Sequence, residues 1–215
     1  TPQMKQLETQ RMGDIKYEIA WTTLDEYLSW LAKRGVAVNV ASFIGAATVR
    51  ENVLGEGDVD PDPQQLAQMR KLVADAMEDG ALGVGSSLIY APGNYAETPE
   101  LIALATEAGR CGGMYISHMR SEADRLLEAI DELIEISKAS GAPAEIYHLK
   151  QAGKANWDKL DPAIARIEAA RAAGHRITAD MYTYTAGSTG LDAAMPPWVQ
   201  AGGVETWISR MKEPA

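Results

Sequence analysis

Glycine residues divide the chain into repeating units, each made of a helical segment and a following run that favours a β-strand. The glycines recur at successive spacings of 45, 32, 29 and 33 residues, and they are Gly35, Gly80, Gly112, Gly141 and Gly174. Glycine suits the left-handed position that ends a helix, so each of them marks a predicted helix end. Because helices separate consecutive strands, the strands are predicted to run parallel through crossover connections.

The predicted strands are short and rich in valine, isoleucine, tyrosine and threonine, and they are Val36–Ile44, Leu82–Ile89, Met114–His118, Ala144–Leu149 and Ile177–Tyr184. Helices are predicted to begin where a capping residue or a proline opens an apolar-periodic segment, near Thr23, Asp62, Thr98, Ser121 and Asp161. A βα unit of about 30 residues is typical of the (β/α)8 barrel, which needs eight units in roughly 250 residues.

Only about five such units fit in 215 residues. The sequence therefore predicts an α/β fold, a partial TIM-like (β/α)8 barrel, with residues 1–215 as the central segment of a barrel catalytic domain. A doubly wound open sheet has a similar period, but it usually carries a glycine-rich phosphate loop. Gly83-Val84-Gly85 matches that loop only in part, which favours the barrel.

Composition limits the partners that the chain can bind. Its residues are 46% hydrophobic and 23% charged, as in a soluble globular domain. A net charge of −10 disfavours nucleic acid and anionic membrane surfaces, because like charges repel. No apolar run approaches the roughly 20 residues that span a bilayer. The single cysteine, Cys111, excludes an internal disulfide and is predicted to be buried. We expect a cytoplasmic location, or a periplasmic one if an export signal was trimmed.

Two histidines stand at the carboxyl ends of consecutive predicted strands. His118 and His148 are 30 residues apart, which is one repeat. Equivalent positions on adjacent parallel strands lie about 5 Å apart, so the two imidazoles are predicted to lie side by side. Placed at the catalytic end of a barrel, they can bind one divalent metal ion. The alternative is a pair of hydrogen-bonded core histidines.

Other polar residues follow the same strand ends. Lys150 lies two residues after His148, and Tyr182 and Ser188 follow the next strand, while Tyr90 follows the strand that ends at Ile89. A lysine and hydroxyl groups near a metal suit the recognition of a substrate carboxylate. Asp180 is open to two interpretations, as a metal ligand or general base, or as a carboxylate that holds loops together.

Residues 80–198 resemble the N-acyl-D-amino-acid deacylases, or D-aminoacylases, of the metal-dependent amidohydrolase superfamily. The motifs that carry the resemblance occur in order along the chain, and they are Gly80-Ala81-Leu82-Gly83, Leu88-Ile89-Tyr90-Ala91-Pro92-Gly93, Ser117-His118-Met119-Arg120-Ser121-Glu122, His148-Leu149-Lys150, Ala179-Asp180-Met181-Tyr182-Thr183-Tyr184-Thr185, Ser188-Thr189-Gly190-Leu191 and Pro196-Pro197-Trp198. The resemblance implies a zinc-bearing TIM barrel that hydrolyses the amide bond of N-acyl-D-amino acids.

The resemblance also implies roles for individual residues. His118 and His148 match the metal ligands of the family's fifth and sixth strands, and Tyr90 matches a residue that contacts the scissile carbonyl. The groups that hold the substrate carboxylate are matched by Lys150, Tyr182 and Ser188. The family's His-x-His motif, its cysteine ligand and its last-strand aspartate have no counterpart here. We therefore expect this segment alone to be inactive, and to fold with the remainder of its barrel or with a second copy.

Two other functions remain open on the sequence. The alternative enzyme is another member of the superfamily, such as a dihydroorotase-like hydrolase or a β-aspartyl dipeptidase, and these commonly bridge two metals with a carboxylated lysine. Lys150 lies too near His148 to match that bridge. The chain could also be a non-catalytic barrel segment that only packs against a partner.

Overall fold

Five parallel strands form one sheet in a computed structural model of the chain, which describes residues 1–213 apart from the side chains of residues 3, 7 and 11. The strands lie in sequence order, and they are β1 (Ile44–Gly45), β2 (Gly83–Ser87), β3 (Met114–His118), β4 (Ala144–Ile146) and β5 (Ile177–Ala179). Each strand pairs with the next in parallel. This order is that of a barrel wall, because every crossover returns to the adjacent strand.

Helices connect the strands and flank the sheet, and they are α1 (Pro2–Arg11), α2 (Leu24–Arg34), α3 (Ala46–Leu54), α4 (Pro63–Glu78), α5 (Thr98–Arg110), α6 (Leu126–Ser140), α7 (Leu160–Ala172), α8 (Pro197–Gln200) and α9 (Val204–Met211). Short 3-10 helices span Gly93–Tyr95, Lys154–Lys159 and Leu191–Ala194. The predicted caps at Thr23 and Asp62 are confirmed, since both side chains accept backbone N–H groups of the first turn. The helix-ending glycines are confirmed as well: Gly141 has φ 76° in the left-handed region, and the other four also have positive φ.

The core lies between the sheet and its helices. Val84, Tyr115, Ile146 and Ile177 project from four strands toward the helices and are almost fully buried. From the helix side the core receives buried leucine and isoleucine side chains, among them Leu101, Leu104, Leu133 and Ile136. Each such side chain contributes roughly 1.5–3 kcal/mol when it leaves water. This packing fixes the sheet, and hence the strand ends, in one arrangement.

Several predictions are wrong in part. The predicted strands Ala144–Leu149 and Ile177–Tyr184 end early, at Ile146 and Ala179. Of the predicted strand Val36–Ile44, only the last residue is in β1, because that strand pairs with β2 alone and its predicted valines are exposed. The helix predicted to begin at Ser121 begins at Leu126, since the Ser121 hydroxyl accepts the N–H groups of Ala123 and Arg125 and shapes a loop instead. Cys111 is exposed rather than buried, because it lies at the end of α5 outside the core.

A buried ion pair joins α3 to α5. Arg50 and Glu100 contact each other with side chains that are 1% and 4% exposed, and Arg50 also donates to the Val59 carbonyl. Burial raises the pKa of the Glu100 carboxyl, and the Arg50 charge opposes that increase. Within the described residues, none of the helices is both long and apolar enough to cross a bilayer.

Candidate metal centre

A cleft of about 900 Å³ opens at the carboxyl ends of the strands. This is the end of a barrel at which active sites lie. All the site residues predicted from the sequence line this cleft, and they are Tyr90, His118, His148, Lys150, Tyr182 and Ser188. Glu122, which was not predicted as a site residue, lines it as well. Their roles remain predictions, and their proximity is an observation.

The two histidine rings lie against each other at the base of this cleft. Their centroids are 4.6 Å apart with planes at 82°, and Nδ1 of His118 is 3.1 Å from Nε2 of His148. The side chains are 12% and 27% exposed. The predicted juxtaposition is therefore present, with one nitrogen of each ring facing the other.

The reason for this juxtaposition differs from the predicted one. Ser117 is in register with Ile146, and the Tyr147 N–H donates to the Ser117 carbonyl at 3.0 Å. His118 is thus level with Tyr147, and His148 lies one residue further along the chain. Alternation of side chains would place His118 and His148 on opposite faces of the sheet. Instead, β4 ends at Ile146, and a φ of 37° at His148 redirects the chain.

Asp180 holds His148 in this left-handed conformation. Its carboxylate accepts the His148 N–H at 2.7 Å, and its carbonyl accepts the Leu149 N–H at 2.8 Å. A residue other than glycine in this region costs about 1–3 kcal/mol unless its surroundings hold it there. Of the two interpretations left open for Asp180, the contacts favour a carboxylate that holds loops together.

We expect Asp180→Ala to weaken zinc binding by about tenfold or more, because the His148 backbone loses the acceptor that positions its ring. Asp180→Asn should stay close to the parent protein, since its side-chain oxygen can accept the same N–H. Chelator competition measures the zinc affinity of each variant. Equal losses for alanine and asparagine would instead indicate that the charge of Asp180 matters, as expected of a ligand.

Glu122 is a site residue that appears in the sequence analysis only as part of a motif, with no role of its own. Its Oε1 lies 2.5 Å from Lys150 Nζ and 2.9 Å from His148 Nδ1, and its Oε2 lies 3.7 Å from His118 Nε2. The signal was its place four residues after His118, in the loop that precedes α6. That spacing identifies a nearby carboxylate, but only the loop conformation brings it back to the histidines.

The surroundings of His118 favour its neutral form. Burial lowers the pKa of the His118 imidazole, and the neighbouring His148 and Lys150 lower it further, while Glu122 opposes the shift. A neutral imidazole retains the lone pair that a metal ion needs. Lys150 also lies with its Nζ 5.3 Å from the centre of the Tyr182 ring, a cation–π contact within the same cleft.

Tyr90 and Ser188 line the same cleft as Glu122 and Lys150. The Tyr90 ring is 5.6 Å from the His118 ring, and its hydroxyl is 2.6 Å from the Thr189 hydroxyl. Ser188 precedes that threonine in the same loop and lines the cleft. The loop after β2 and the loop after β5 thus meet above the histidine pair.

The donor set fits a zinc ion. His118, Glu122 and His148 each offer a ligand atom, and these atoms all lie within 4.8 Å of one another. The 3.1 Å between the facing nitrogens is close to the roughly 3.3 Å that separates two ligand atoms on one tetrahedral zinc ion. In addition, His118 Nε2 is buried and has no hydrogen-bond partner among the described residues. Such an unpaired nitrogen is costly in a purely structural histidine pair.

Known proteins resemble this chain over most of its length. An N-acyl-D-glutamate deacylase of Alcaligenes xylosoxydans xylosoxydans is 34% identical over 163 residues, which cover 76% of this chain and 33% of the relative. A D-aminoacylase of the same organism is 33% identical over 164 residues, which cover 76% of this chain and 34% of the relative. This chain is a homologue of the N-acyl-D-amino-acid deacylases.

A solved deacylase structure supports the same relationship. The N-acyl-D-glutamate deacylase from Bordetella bronchiseptica, complexed with zinc and a phosphonate mimic of the tetrahedral intermediate, is similar to this chain with a TM-score of 0.75 and 28% identity. The similarity covers 80% of this chain and 36% of that one. Because the deacylases of known structure are amidohydrolases with a TIM barrel, the predicted partial barrel is confirmed.

The similarity covers only part of each relative's length. The chain spans about a third of the length of the curated deacylases that it matches, with coverages of 33% and 34%. No protein-family model matches it. This chain therefore corresponds to only part of each deacylase, and the deacylase-like motifs lie in that part.

Proposed function

We propose that this chain supplies the metal-binding and substrate-binding segment of an enzyme that hydrolyses the amide bond of N-acyl-D-amino acids. The observation that carries the proposal is the pair of facing histidine nitrogens, 3.1 Å apart at the base of the cleft. The homology to deacylases supports the substrate class, because the two curated relatives are named for acylated D-amino acids. Residues 1–215 would form the central part of the barrel, and the remainder of that barrel would complete the site.

His118 and His148 would hold a zinc ion through their facing nitrogens. When bound, zinc supplies a Lewis acid that polarises a carbonyl and increases the acidity of water. Burial lowers the pKa of the His118 imidazole, which favours the neutral form that can bind a metal ion. The left-handed backbone at His148 and the Asp180 contact fix the second ring, so the pair is preorganised before a cation binds.

Lys150 would bind the α-carboxylate of the substrate. Its ammonium group has three N–H donors. One is directed to Glu122 at 2.5 Å, and Nζ also lies 2.8 Å from His148 Nδ1. The side chain is 24% exposed, so the remaining donors can reach a ligand in the cleft. The Ser188 hydroxyl and the Tyr182 ring line the same cleft. A carboxylate held there orients the rest of the substrate toward the histidines.

Tyr90 would contact the scissile amide. Its ring lies beside that of His118, and its hydroxyl is fixed by Thr189. A phenol in this place can donate a hydrogen bond to the amide carbonyl oxygen and stabilise the negative charge that develops on it.

Deacylase activity of the full-length protein tests the proposal. We expect the zinc-loaded protein to release free amine from N-acetyl-D-amino acids but not from their L enantiomers. Removal of the metal with a chelator should abolish the release, and added zinc should restore it. A zinc-loaded protein that releases no amine from any N-acetyl-D-amino acid would contradict the proposed function. Activity that is unaffected by the chelator would contradict the role of the metal.

A further inference from the structure

Glu122 lies beside the outer nitrogens of the histidine pair, that is, the two that face away from each other. His148 presents Nε2 to His118 and Nδ1 to Glu122, at 2.9 Å from Oε1. His118 presents Nδ1 to His148 and Nε2 to the same carboxylate, at 3.7 Å from Oε2. One carboxylate therefore flanks both outer nitrogens, and the two inner nitrogens are left to share a cation.

The partner of the outer nitrogen decides the state of the inner one. A neutral imidazole carries its proton on only one nitrogen. If Nδ1 of His148 carries it, that N–H donates to Glu122 and Nε2 keeps its lone pair. If Nε2 carries the proton, the lone pair on Nδ1 accepts a hydrogen bond from Lys150, whose Nζ is 2.8 Å away. Glu122 and Lys150 thus favour opposite tautomers of the same ring.

Glu122 is held firmly against the loop that carries His148. Its carboxylate contacts the Lys150 ammonium at 2.5 Å, and its backbone carbonyl accepts the Ala152 N–H at 2.8 Å. The side chain is only 13% exposed. Charge-assisted hydrogen bonds at this depth are strong and well oriented. Side chain and backbone of one residue therefore tie the loop after β3 to the loop after β4.

We propose that Glu122 is a positioning residue, which accepts the Nδ1–H of His148 and so keeps Nε2 available to a metal ion shared with His118. The inference rests on the proposed metal-dependent function and adds a residue to which no role had been assigned. Carboxylates that accept the outer N–H of a ligating histidine fix its ring and raise its basicity. Loss of such a carboxylate typically costs about 10–100-fold in metal affinity.

Nitrogen-15 NMR of the zinc-free, full-length protein tests the tautomer directly. In the parent protein we expect His148 to carry its proton on Nδ1. Glu122→Ala should move the proton toward Nε2, because Lys150 then remains as the neighbour of Nδ1. Glu122→Gln should preserve the parent tautomer, since its amide oxygen can accept the same N–H. Lys150→Met should not reduce the Nδ1–H population, because it removes the competing donor.

Zinc affinity, measured by chelator competition, gives the second readout. We expect Glu122→Ala to weaken binding by about 10–100-fold and Glu122→Gln to weaken it less. Asp124→Asn is the matched control: it removes an exposed carboxylate from the same loop and should leave both readouts unchanged.

Four results are decisive. An unchanged His148 tautomer in Glu122→Ala, or zinc affinity within twofold of the parent, would overturn the proposal. A loss in Glu122→Gln as large as that in His148→Ala would also overturn it, because Glu122 would then be a ligand itself. Failure of the parent protein to bind zinc would instead reject the metal-dependent function, which separates the two hypotheses.

Discussion

In the full-length protein, replacement of either His118 or His148 with alanine is expected to abolish zinc retention and to lower the proposed deacylase turnover on the order of 1000-fold. Each ring supplies one of the two nitrogens that lie 3.1 Å apart, and a single remaining imidazole offers no shared site. A zinc ion contributes several kcal/mol to transition-state stabilisation, and about 1.4 kcal/mol corresponds to a tenfold change in rate. Zinc content by elemental analysis and turnover of N-acetyl-D-amino acids measure the two effects.

The third histidine provides the matched control for this experiment. His175 precedes β5 and lies at the opposite end of the sheet from the cleft. His175→Ala removes an imidazole with no expected change in zinc content or turnover. If His118→Ala and His148→Ala retain the zinc content and turnover of the parent, the mechanism is wrong. If all three variants lose activity and circular dichroism shows that they are unfolded, a variant with asparagine in place of both His118 and His148 repeats the test with polar side chains.

Breaking the buried Arg50–Glu100 pair is expected to cause the largest loss of stability. Arg50→Met leaves Glu100 as an unpaired carboxylate with a side chain that is 4% exposed. Removal of one partner of a buried ion pair costs about 3–5 kcal/mol, a large share of the roughly 5–15 kcal/mol that stabilises a typical domain. Urea denaturation of the parent and the variant at pH 7 measures the difference in free energy of unfolding.

The same variant should show a characteristic pH dependence. Burial already raises the pKa of Glu100 in the folded protein, and loss of Arg50 removes both the positive charge and the hydrogen bond that oppose the increase. A raised carboxyl pKa means that the folded state holds its proton more tightly than the unfolded state, so stability falls as pH rises through the folded pKa. The deficit of Arg50→Met relative to the parent should therefore be small near pH ~4 and largest at neutral pH.

Two further variants make this second prediction specific. Arg50→Met combined with Glu100→Leu should recover much of the loss, because it removes the unpaired charge as well. Lys71→Met breaks the exposed Lys71–Asp75 pair, whose side chains are 72% and 51% exposed, and should leave the urea midpoint unchanged. A deficit of Arg50→Met that does not vary with pH would show that lost packing, and not the buried charge, is its cause.

The overall fold was predictable from punctuation and periodicity. The five glycines end helices with positive φ, and the strand Met114–His118 has the predicted bounds. These signals are local, since glycine in the left-handed region and apolar periodicity depend on neighbours within a few residues. The strand Val36–Ile44 was wrong for the same reason. Its valines have strand propensity, but a strand also needs a partner, and only Ile44 and Gly45 find one in β2.

The site was predicted in its membership and only partly in its geometry. His118 and His148 were expected to match because they are one repeat apart, yet the observed register places His118 level with Tyr147. The left-handed turn at His148 compensates for this one-residue offset in register. A histidine at that position does not predict such a turn. Glu122 had no assigned role because its approach to the histidines depends on the loop before α6. Loop conformation arises from contacts such as Ala152 to Glu122, which sequence spacing does not encode.

The contact between Asp180 and the His148 backbone has a consequence for protein synthesis. The acceptor that stabilises the left-handed turn lies 32 residues downstream of the residue that needs it. A nascent chain that has emerged only as far as Lys150 contains both imidazoles but lacks the Asp180 carboxylate that holds the His148 backbone. The backbone conformation that orients the His148 ring can therefore form only after Asp180, which directly follows β5, has been synthesised.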